Sequence, residues 1–308
     1  MTEPIHFAFA KEVKGRLLHN ESMANHVSWR AGGPARQAYV PVSLDDLAAF
    51  LRSLPADEAV CFVGLGSNLL VRDGGFDGTV VLMHNTRGAM RHEGRLVYAE
   101  AGVASPKVAR YAALHGYEGA EFLAGIPGTI GGALAMNAGC YGVETWENVE
   151  RVQVIRRDGE LMDRVPTDFE IGYRHVLSHR GVLGMNEWFV GAWFSFPRGN
   201  VQRARLRIKE LLSARVASQP LNLPNAGSVF RNPPGDYAAR LVEACGLKGF
   251  AIGGVHVSEK HANFIVNPEG RGTAADIEAL IAHVREVVRE RFGVALHPEV
   301  RVVGQAHE

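Results

Sequence analysis

The segment at residues 121–142 reads EFLAGIPGTIGGALAMNAGCYG, and it carries the strongest indication of the fold. The 22 residues from 122 to 143 contain no charged side chain but include six glycines and Pro127. A membrane-spanning helix needs about 20 mostly apolar residues in unbroken helical backbone, so the pattern predicts loops and short elements instead. If they bind a diphosphate, backbone dipoles, Thr129 and Asn137 must hold it. Close packing of neighbouring elements is the alternative.

A second glycine-rich loop precedes this segment. Gly64-Leu65-Gly66-Ser67-Asn68 directly follows a predicted strand, Val60–Val63, and glycines two positions apart let a turn expose successive backbone N–H groups to an anion. The loop differs from the usual dinucleotide fingerprint because Leu69 stands where a third glycine belongs, and no Gly-Lys-Ser/Thr follows as in a P-loop. A tight strand-end turn is the alternative. Two uncharged glycine-rich loops so close in sequence favour an anion or nucleotide site.

Apolar runs and turn residues predict a mixture of strands and helices around these loops. We predict a hairpin around Asp158-Gly159 and strands at Val60–Val63, 79–83, 96–101 and 190–196. We predict helices after the capping residue Ser43, after Ser105-Pro106, and over residues 201–215, 236–245 and 273–292. These patterns alone are typical of an α/β or α+β enzyme that binds an anion or a nucleotide.

Composition limits the classes of protein to which the chain can belong. Its 308 residues exceed the size at which one core usually stops growing, so we expect two or three domains. The 33 basic and 33 acidic residues give a net charge of zero, which removes any bulk electrostatic case for nucleic acid or an anionic membrane as a partner. The N-terminus has no apolar stretch of signal-peptide length, and we expect a cytoplasmic protein.

Cysteine and histidine spacings give no indication of a metal site. The three cysteines, Cys61, Cys140 and Cys245, are widely spaced and form no CxxC pair, which argues against a disulfide framework or a structural zinc. The thirteen histidines show no HxH or HExxH spacing. We therefore predict no bound metal.

Three further segments contain residues that could carry chemistry. Ser228 lies in a turn without the GxSxG surroundings of an acyl-transfer nucleophile, so it is a proton donor or an ordinary turn serine. Arg174 follows Tyr173 and could hold a carboxylate with two parallel hydrogen bonds, or it could be a surface arginine. Glu299 begins a predicted strand, where a glutamate is usually solvated.

Six segments in one order resemble the UDP-N-acetylenolpyruvoylglucosamine reductases, also called UDP-N-acetylmuramate dehydrogenases. They are NHVSWRAGGPA (25–35), GLGSNLLV (64–71), the glycine-rich segment 121–142, NAGSVFRNP (225–233), VSEKHANF (257–264) and PEV (298–300). The resemblance covers roughly residues 20–303. The chain departs from the family at Cys140, where a small residue is usual, at Arg231, which replaces a common lysine, and at the less typical His175-Val176-Leu177.

The resemblance implies an α+β fold, in which a two-subdomain FAD-binding module of the vanillyl-alcohol-oxidase type is followed by an α+β substrate-binding domain. On this basis we expect an N-terminal arm at 1–24, the FAD-binding domain at 25–198 with its subdomains divided near 100, and the substrate-binding domain at 199–308. The short span between Ser228 and Glu299 resembles the shorter form of the family, which lacks an extra substrate-clamping loop.

The same resemblance implies a reaction. Non-covalent FAD would take hydride from NADPH and reduce the enolpyruvyl group of a UDP-sugar, giving UDP-N-acetylmuramate for peptidoglycan precursor synthesis. In this interpretation Ser228 donates a proton to the substrate carbon, Arg174 offsets the developing charge, and Glu299 has a pKa raised by desolvation. We expect neither nucleic acid nor a membrane as partner, and we expect a monomer.

The matching motifs also assign ligand-binding residues. Those expected to bind FAD are Val63, Gly64, Leu65, Gly66, Ser67, Asn68, Leu69, Ala124, Gly125, Ile126, Gly128, Thr129, Gly132, Ala133, Asn137 and Gly139. Those expected to bind the sugar nucleotide are Tyr173, Arg215, Gln219, Asn232 and Asn263.

Two other functions are compatible with the same loops. An FAD oxidoreductase of this architecture could act on a different small alcohol or acid, and the segment 225–233 would then have no catalytic role. A non-catalytic module could bind a nucleotide through the glycine-rich loops, and the purified protein would then be colourless.

Overall fold

Strands and helices alternate irregularly in the computed structural model, which describes residues 13–85 and 88–307. The strands are β1 Arg16–Ser22, β2 Pro34–Val40, β3 Val60–Val63, β4 Leu69–Val71, β5 Phe76–Leu82, β6 Met90–Glu93, β7 Leu96–Glu100, β8 Gly139–Cys140, β9 Val143–Glu144, β10 Val149–Arg156, β11 Leu161–Arg164, β12 Phe169–Gly172, β13 His175–Ser178, β14 Glu187–Ser195, β15 Ala251–Ile252, β16 Val255–Val257, β17 Ile265–Val266 and β18 Arg301–Val303. The α-helices are α1 Leu44–Ser53, α2 Ser105–Leu114, α3 Ile130–Ala135, α4 Val201–Ser218, α5 Ala238–Ala244 and α6 Ala274–Phe292.

The first sheet has the strand order β1-β2-β5-β3. Strands β2 and β3 run parallel to β5, and β1 is antiparallel to β2 at the edge, so part of the predicted N-terminal arm is an edge strand. Ser43 caps α1 by accepting a hydrogen bond from Asp46 N at 3.1 Å, as predicted. Leu47 and Leu51 of α1 are buried in a core that also contains Trp188 of β14. This core joins the first sheet to the second.

The second sheet is antiparallel throughout, with the order β11-β10-β14-β7-β6. The predicted hairpin joins β10 to β11 through Asp158-Gly159, and Gly159 has φ +77°, which glycine adopts without steric strain. Strand β14 is buried along almost its whole length, because it is central in the sheet and α3 packs against it.

Helix α4 belongs to this second unit by packing. Ala204 and Ile208 of α4 lie in the same apolar core as Val108 of α2 and Val97 of β7. The expected domain boundary at residue 199 puts α4 with the C-terminal domain, whereas these apolar side chains pack in the core of the second sheet. The basic residues Arg203, Arg205 and Arg207 lie on the exposed face of the helix.

The third unit is built on α5, α6 and the small sheet β15-β16-β17. Helix α6 begins after Thr273, whose hydroxyl accepts a hydrogen bond from Asp276 N at 3.1 Å, and it ends at Gly293 with φ +67°, as predicted. Trp29 and Leu70 of the first unit are buried in the core of this third unit. The first and third units are therefore joined by packed side chains as well as by the chain that connects them.

The C-terminal strand returns to the first unit. Strand β18 pairs in parallel with β4, with Arg301 opposite Leu69. Just before β18, Pro298 pairs with Phe230 in an isolated bridge. Residues 297–300 therefore lie between the 64–68 loop and the turn that contains Ser228.

The glycine-rich segment 121–142 forms a 3-10 turn at Glu121–Gly125, the short helix α3 and the start of the hairpin β8–β9. The prediction of loops and short elements is thus confirmed. In the part of the chain that the structure describes, no helix combines the length and the apolar character needed to cross a membrane.

Candidate active site

The loop at residues 64–68 connects β3 to β4 and presents backbone amides in a turn. Gly66 has φ +59°, and a Cβ on it would lie 2.2 Å from the carbonyl oxygen of His26, so a larger residue would require the backbone to shift. Within residues 13–85 and 88–307, the amide N–H groups of Gly66, Ser67 and Asn68 have no hydrogen-bond acceptor. A turn of this kind can bind an anion through its backbone.

The two glycine-rich loops lie against each other. A Cβ on Gly64 would lie 2.3 Å from Thr129 Oγ1, and a Cβ on Gly128 would lie 3.2 Å from Ser67 Oγ. The glycines therefore permit the close packing that was the alternative interpretation, and this packing gathers uncharged donors of both loops in one place. Amide and hydroxyl donors suit the diphosphate of FAD. The residues present fit this cofactor.

Several residues predicted to bind FAD have side chains in the apolar cores. Ala124, Ile126 and Ala133 are buried in the core of the second unit, and Val63 is buried in the first. Because these side chains are buried, only the backbone of these residues could contact a ligand at the glycine-rich loops. Gly125 packs so closely on Cys140 that a Cβ there would lie 2.4 Å from Sγ.

Arg174 and Glu299 meet although they are 125 positions apart in the chain. Arg174 Nε donates to Glu299 Oε1 at 3.0 Å, and the two Nη atoms donate to the carbonyl oxygens of Asn137 and Gly139, each at 3.2 Å. The side chains of Arg174 and Glu299 are 16% and 17% exposed. The structure thus brings together two of the three predicted catalytic residues and places them at the end of the second glycine-rich loop.

Burial raises the pKa of the Glu299 carboxyl above its ordinary value, because desolvation penalises the charged form. The charges of Arg174 and Arg231 act in the opposite direction without cancelling the effect. The predicted direction of this pKa shift, and its cause, are confirmed.

The turn that contains Ser228 is hydrogen-bonded to Glu299 through the backbone of Val229, the residue after Ser228. Glu299 N donates to the Val229 carbonyl at 2.7 Å, and Val229 N donates to the Asn263 carbonyl at 2.9 Å. Gly227 has φ +74° and allows the turn. The Ser228 side chain is half-buried, and its hydroxyl has no hydrogen-bond partner among the described residues. This hydroxyl can therefore serve a ligand.

Two predicted ligand-binding residues have another role. The side chain of Asn137 is buried; it donates to Glu144 Oε2 at 2.7 Å and to the Gly172 carbonyl at 3.1 Å, and it accepts from Trp146 N at 3.2 Å. Asn137 therefore organises the surroundings of Arg174 instead of donating to a diphosphate.

Asn263 is likewise used within the protein. Its side chain is buried, accepts from Phe230 N at 2.9 Å and donates to the Phe230 carbonyl at 2.8 Å. Asn263 was predicted to bind the sugar nucleotide, whereas both of these bonds hold the backbone of the turn that contains Ser228.

The other predicted substrate residues are partly or fully exposed. Arg215 Nε donates to Gln219 Oε1 at 2.8 Å, and burial lowers the pKa of Arg215. Tyr173 is 48% exposed, with the Arg174 guanidinium 4.9 Å from its ring centre. Asn232 is exposed, and its Oδ1 accepts from Ala238 N at 3.1 Å.

Glu144, which was not among the predicted site residues, contacts Asn137 and lies 3.9 Å from Arg174 Nη1. A single glutamate after a glycine turn carries no motif. The only available signal was its position immediately after the hairpin of the second glycine-rich loop. Within the described ranges, no group of three or more His, Cys, Asp or Glu side chains could hold a metal ion.

Comparisons with known proteins agree with this geometry. Residues 219–303 match the family described as UDP-N-acetylenolpyruvoylglucosamine reductase, C-terminal domain, and residues 35–163 match the FAD binding domain family. The predicted α+β fold with an FAD-binding module followed by a second domain is confirmed.

Named relatives cover nearly the whole chain. The UDP-N-acetylenolpyruvoylglucosamine reductase of Thiobacillus denitrificans is 56% identical over 96% of this chain and 94% of its own length. That of Nitrosospira multiformis is 57% identical over 95% of this chain and 90% of its own length. The crystal structure of the enzyme of this name (MurB) from Thermus caldophilus is 28% identical, with a TM-score of 0.76 over 94% of this chain and 98% of that one. The chain therefore belongs to the UDP-N-acetylenolpyruvoylglucosamine reductase family.

Proposed function

We propose that this chain, with non-covalent FAD and with NADPH as hydride donor, reduces the enolpyruvyl group of UDP-N-acetylenolpyruvoylglucosamine to give UDP-N-acetylmuramate for peptidoglycan precursors. The observation that carries the proposal is the Arg174–Glu299 pair, with Nε and Oε1 3.0 Å apart, beside the Ser228 turn and the glycine-rich loops. A cation, a carboxyl group and a free hydroxyl are the groups needed when hydride and a proton add to a double bond that is conjugated to a carboxylate.

Bound FAD supplies hydride transfer from NADPH to the terminal vinyl carbon of the substrate. The backbone amides of residues 66–68 and the hydroxyls of Ser67 and Thr129 would hold its diphosphate. All other parts of the reaction fall to side chains of the protein, which must bind the substrate carboxylate, stabilise negative charge and deliver one proton.

Arg174 stabilises the charge that develops on the substrate carboxylate. A guanidinium has five N–H donors, and three of them are engaged by Glu299, Asn137 and Gly139. One N–H on each Nη atom remains after these bonds and is available to a substrate carboxylate. The three internal bonds fix the plane of the group before the substrate arrives.

Ser228 donates the proton to the carbon next to the substrate carboxylate. Serine is a weak acid, but a carbanion-like carbon is a strong base, so aligned transfer is favourable. Glu299 stays protonated to a higher pH than an ordinary glutamate, because burial raises its pKa. In its neutral form it adds no negative charge near the developing carbanion.

The remaining substrate contacts would come from α4 and from exposed side chains of the neighbouring loops. We assign the diphosphate of the sugar nucleotide to Arg215, oriented by Gln219, with Tyr173 and Asn232 as further contacts. We also propose that the enzyme acts as a monomer in the cytoplasm, without nucleic acid. Size-exclusion chromatography with light scattering tests the oligomeric state.

An anaerobic titration of the purified protein tests this function. NADPH should bleach the flavin absorbance, and the enolpyruvyl sugar nucleotide should restore it with one equivalent of product. Flavin that is reoxidised only by other acceptors would indicate an FAD oxidoreductase of a different substrate. A colourless protein that cannot be loaded with FAD would indicate a nucleotide-binding module.

A further inference from the structure

Glu144 occupies a position between the second glycine-rich loop and Arg174. It is the last residue of β9, opposite Gly139 of β8, and Gly139 is one of the residues whose carbonyl binds the Arg174 guanidinium. The Glu144 side chain is 34% exposed. One short hairpin therefore carries both a backbone acceptor for Arg174 and a carboxylate near it.

The two carboxylate oxygens of Glu144 face different groups. Oε2 accepts from Asn137 Nδ2 at 2.7 Å, whereas Oε1 lies 3.9 Å from Arg174 Nη1. Asn137 contacts Arg174 directly as well, because the Asn137 carbonyl oxygen accepts from Arg174 Nη1 at 3.2 Å. The hydrogen bond to Asn137 is much closer than the approach to Arg174, so Glu144 acts on the arginine mainly through Asn137.

Asn137 and Arg174 both have backbone conformations that non-glycine residues seldom adopt. Their φ values are +42° and +55°, and a residue in this region persists only where its surroundings hold it. The Asn137 side chain is fixed by three bonds, of which that to Glu144 is the shortest. The Asn137–Ala138 peptide is also held by Ala138 N, which donates to the Ala133 carbonyl at 2.8 Å. Loss of the Glu144 bond would therefore shift the Asn137 side chain and displace, without releasing, the carbonyl that contacts Arg174 Nη1.

We propose that Glu144 is a positioning residue, which holds Arg174 in the orientation needed for the substrate carboxylate by fixing Asn137 through a hydrogen bond. This inference rests on the proposed function, since it concerns the half-reaction in which the sugar nucleotide is reduced. It predicts that Glu144 affects that half-reaction and leaves the transfer of hydride from NADPH unchanged.

Stopped-flow measurement of the two half-reactions tests the proposal, with Glu144→Ala, Glu144→Gln and, as matched control, Glu150→Ala. Glu150 is exposed at the start of β10, where its carboxylate lies 3.5 Å from Arg95, and among the described residues no hydrogen bond or ion pair joins it to Asn137, Glu144 or Arg174. A small misplacement of a catalytic group can cost up to about a hundredfold in rate. We expect Glu144→Ala to slow reoxidation by the sugar nucleotide about tenfold to a hundredfold, and Glu150→Ala to change it less than about twofold.

The glutamine variant separates positioning from charge. Its side-chain carbonyl can still accept from Asn137, so Glu144→Gln should restore the rate to within about threefold of the parent. FAD content and thermal midpoint, measured on every variant, should stay near those of the parent. Equal rates in Glu144→Ala and the parent, equal losses in the alanine and glutamine variants, or equal losses in both half-reactions would each overturn the proposal. If the parent itself fails to reduce the sugar nucleotide, the proposed function fails instead.

Discussion

Asn68 Nδ2 donates a hydrogen bond to the carbonyl oxygen of Glu299 at 3.2 Å, which ties the first glycine-rich loop to the residue that pairs with Arg174. The carbonyl of Asn68 also accepts from Arg301 N at 3.0 Å. The loop assigned to the cofactor and the strand assigned to catalysis are therefore one connected structure. A substitution that shifts the loop should therefore also shift the strand, although Asn68 and Glu299 are more than 200 positions apart in the chain.

Gly64→Ala should weaken FAD binding. The new Cβ would lie 2.3 Å from Thr129 Oγ1, so the two loops must separate, and overpacking of this kind costs about 1–3 kcal/mol. We expect FAD affinity, measured by fluorescence titration of the apoprotein, to fall about tenfold or more. Gly172→Ala is the control, since the nearest atom to its Cβ would be 4.0 Å away. Unchanged affinity in Gly64→Ala would show that the contact between the loops does not shape the cofactor site.

Ser228→Ala should separate the two half-reactions. Reduction by NADPH should proceed at the rate of the parent, whereas reduction of the sugar nucleotide should slow by roughly 10²–10⁴-fold, the range for loss of a general acid. Rapid-mixing absorbance at the flavin band measures both rates. Ser218→Ala is a suitable control, because that hydroxyl is exposed and binds the Ala214 carbonyl of its own helix. Equal slowing of both half-reactions would remove Ser228 from the role of proton donor.

Features with local signals were predictable from the sequence. The capping residues of α1 and α6, the Asp158-Gly159 turn and the apolar stripe of α6 all depend on residues within a few positions of one another. Their elements appear where the sequence places them. The presence of Ser228, Arg174 and Glu299 near one another followed from the family resemblance and not from any spacing in the chain.

Features that depend on long-range packing were not predictable. The assignment of α4 to the second unit depends on Ala204 and Ile208 meeting the core of a sheet about 100 residues earlier. The roles of Asn137 and Asn263 depend on which backbone groups lie beside them after folding. From the sequence alone, an asparagine in a motif is interpreted as a ligand-binding residue. A buried side-chain amide, however, commonly forms hydrogen bonds with backbone groups instead.

Glu299 should impose an upper pH limit on reduction of the sugar nucleotide. Because burial raises its pKa, the carboxyl remains protonated at pH values where an ordinary glutamate is ionised, and the rate should fall as pH rises through the raised pKa. Glu299→Gln keeps a neutral side chain at every pH. In this variant the rate of flavin reoxidation by the sugar nucleotide should no longer fall at high pH. At lower pH this rate should stay within about tenfold of that of the parent. A glutamine variant with the same declining limb would assign the titration to another group.

Asn263→Ala should destabilise the turn that carries Ser228. The substitution leaves the backbone N–H and carbonyl of Phe230 without the partners that lie at 2.9 and 2.8 Å, and buried groups left unpaired cost about 1–3 kcal/mol each. We expect the free energy of unfolding to fall by about 2 kcal/mol or more in urea titrations, and kcat for the sugar nucleotide to fall more than KM rises. Asn232→Ala, at an exposed position with one bond to Ala238 N, should cost less than about 1 kcal/mol and act mainly on KM. If Asn263→Ala instead raised KM with no change in stability, the residue would be a substrate ligand after all, because a side chain that only holds the backbone cannot be removed without cost to the fold.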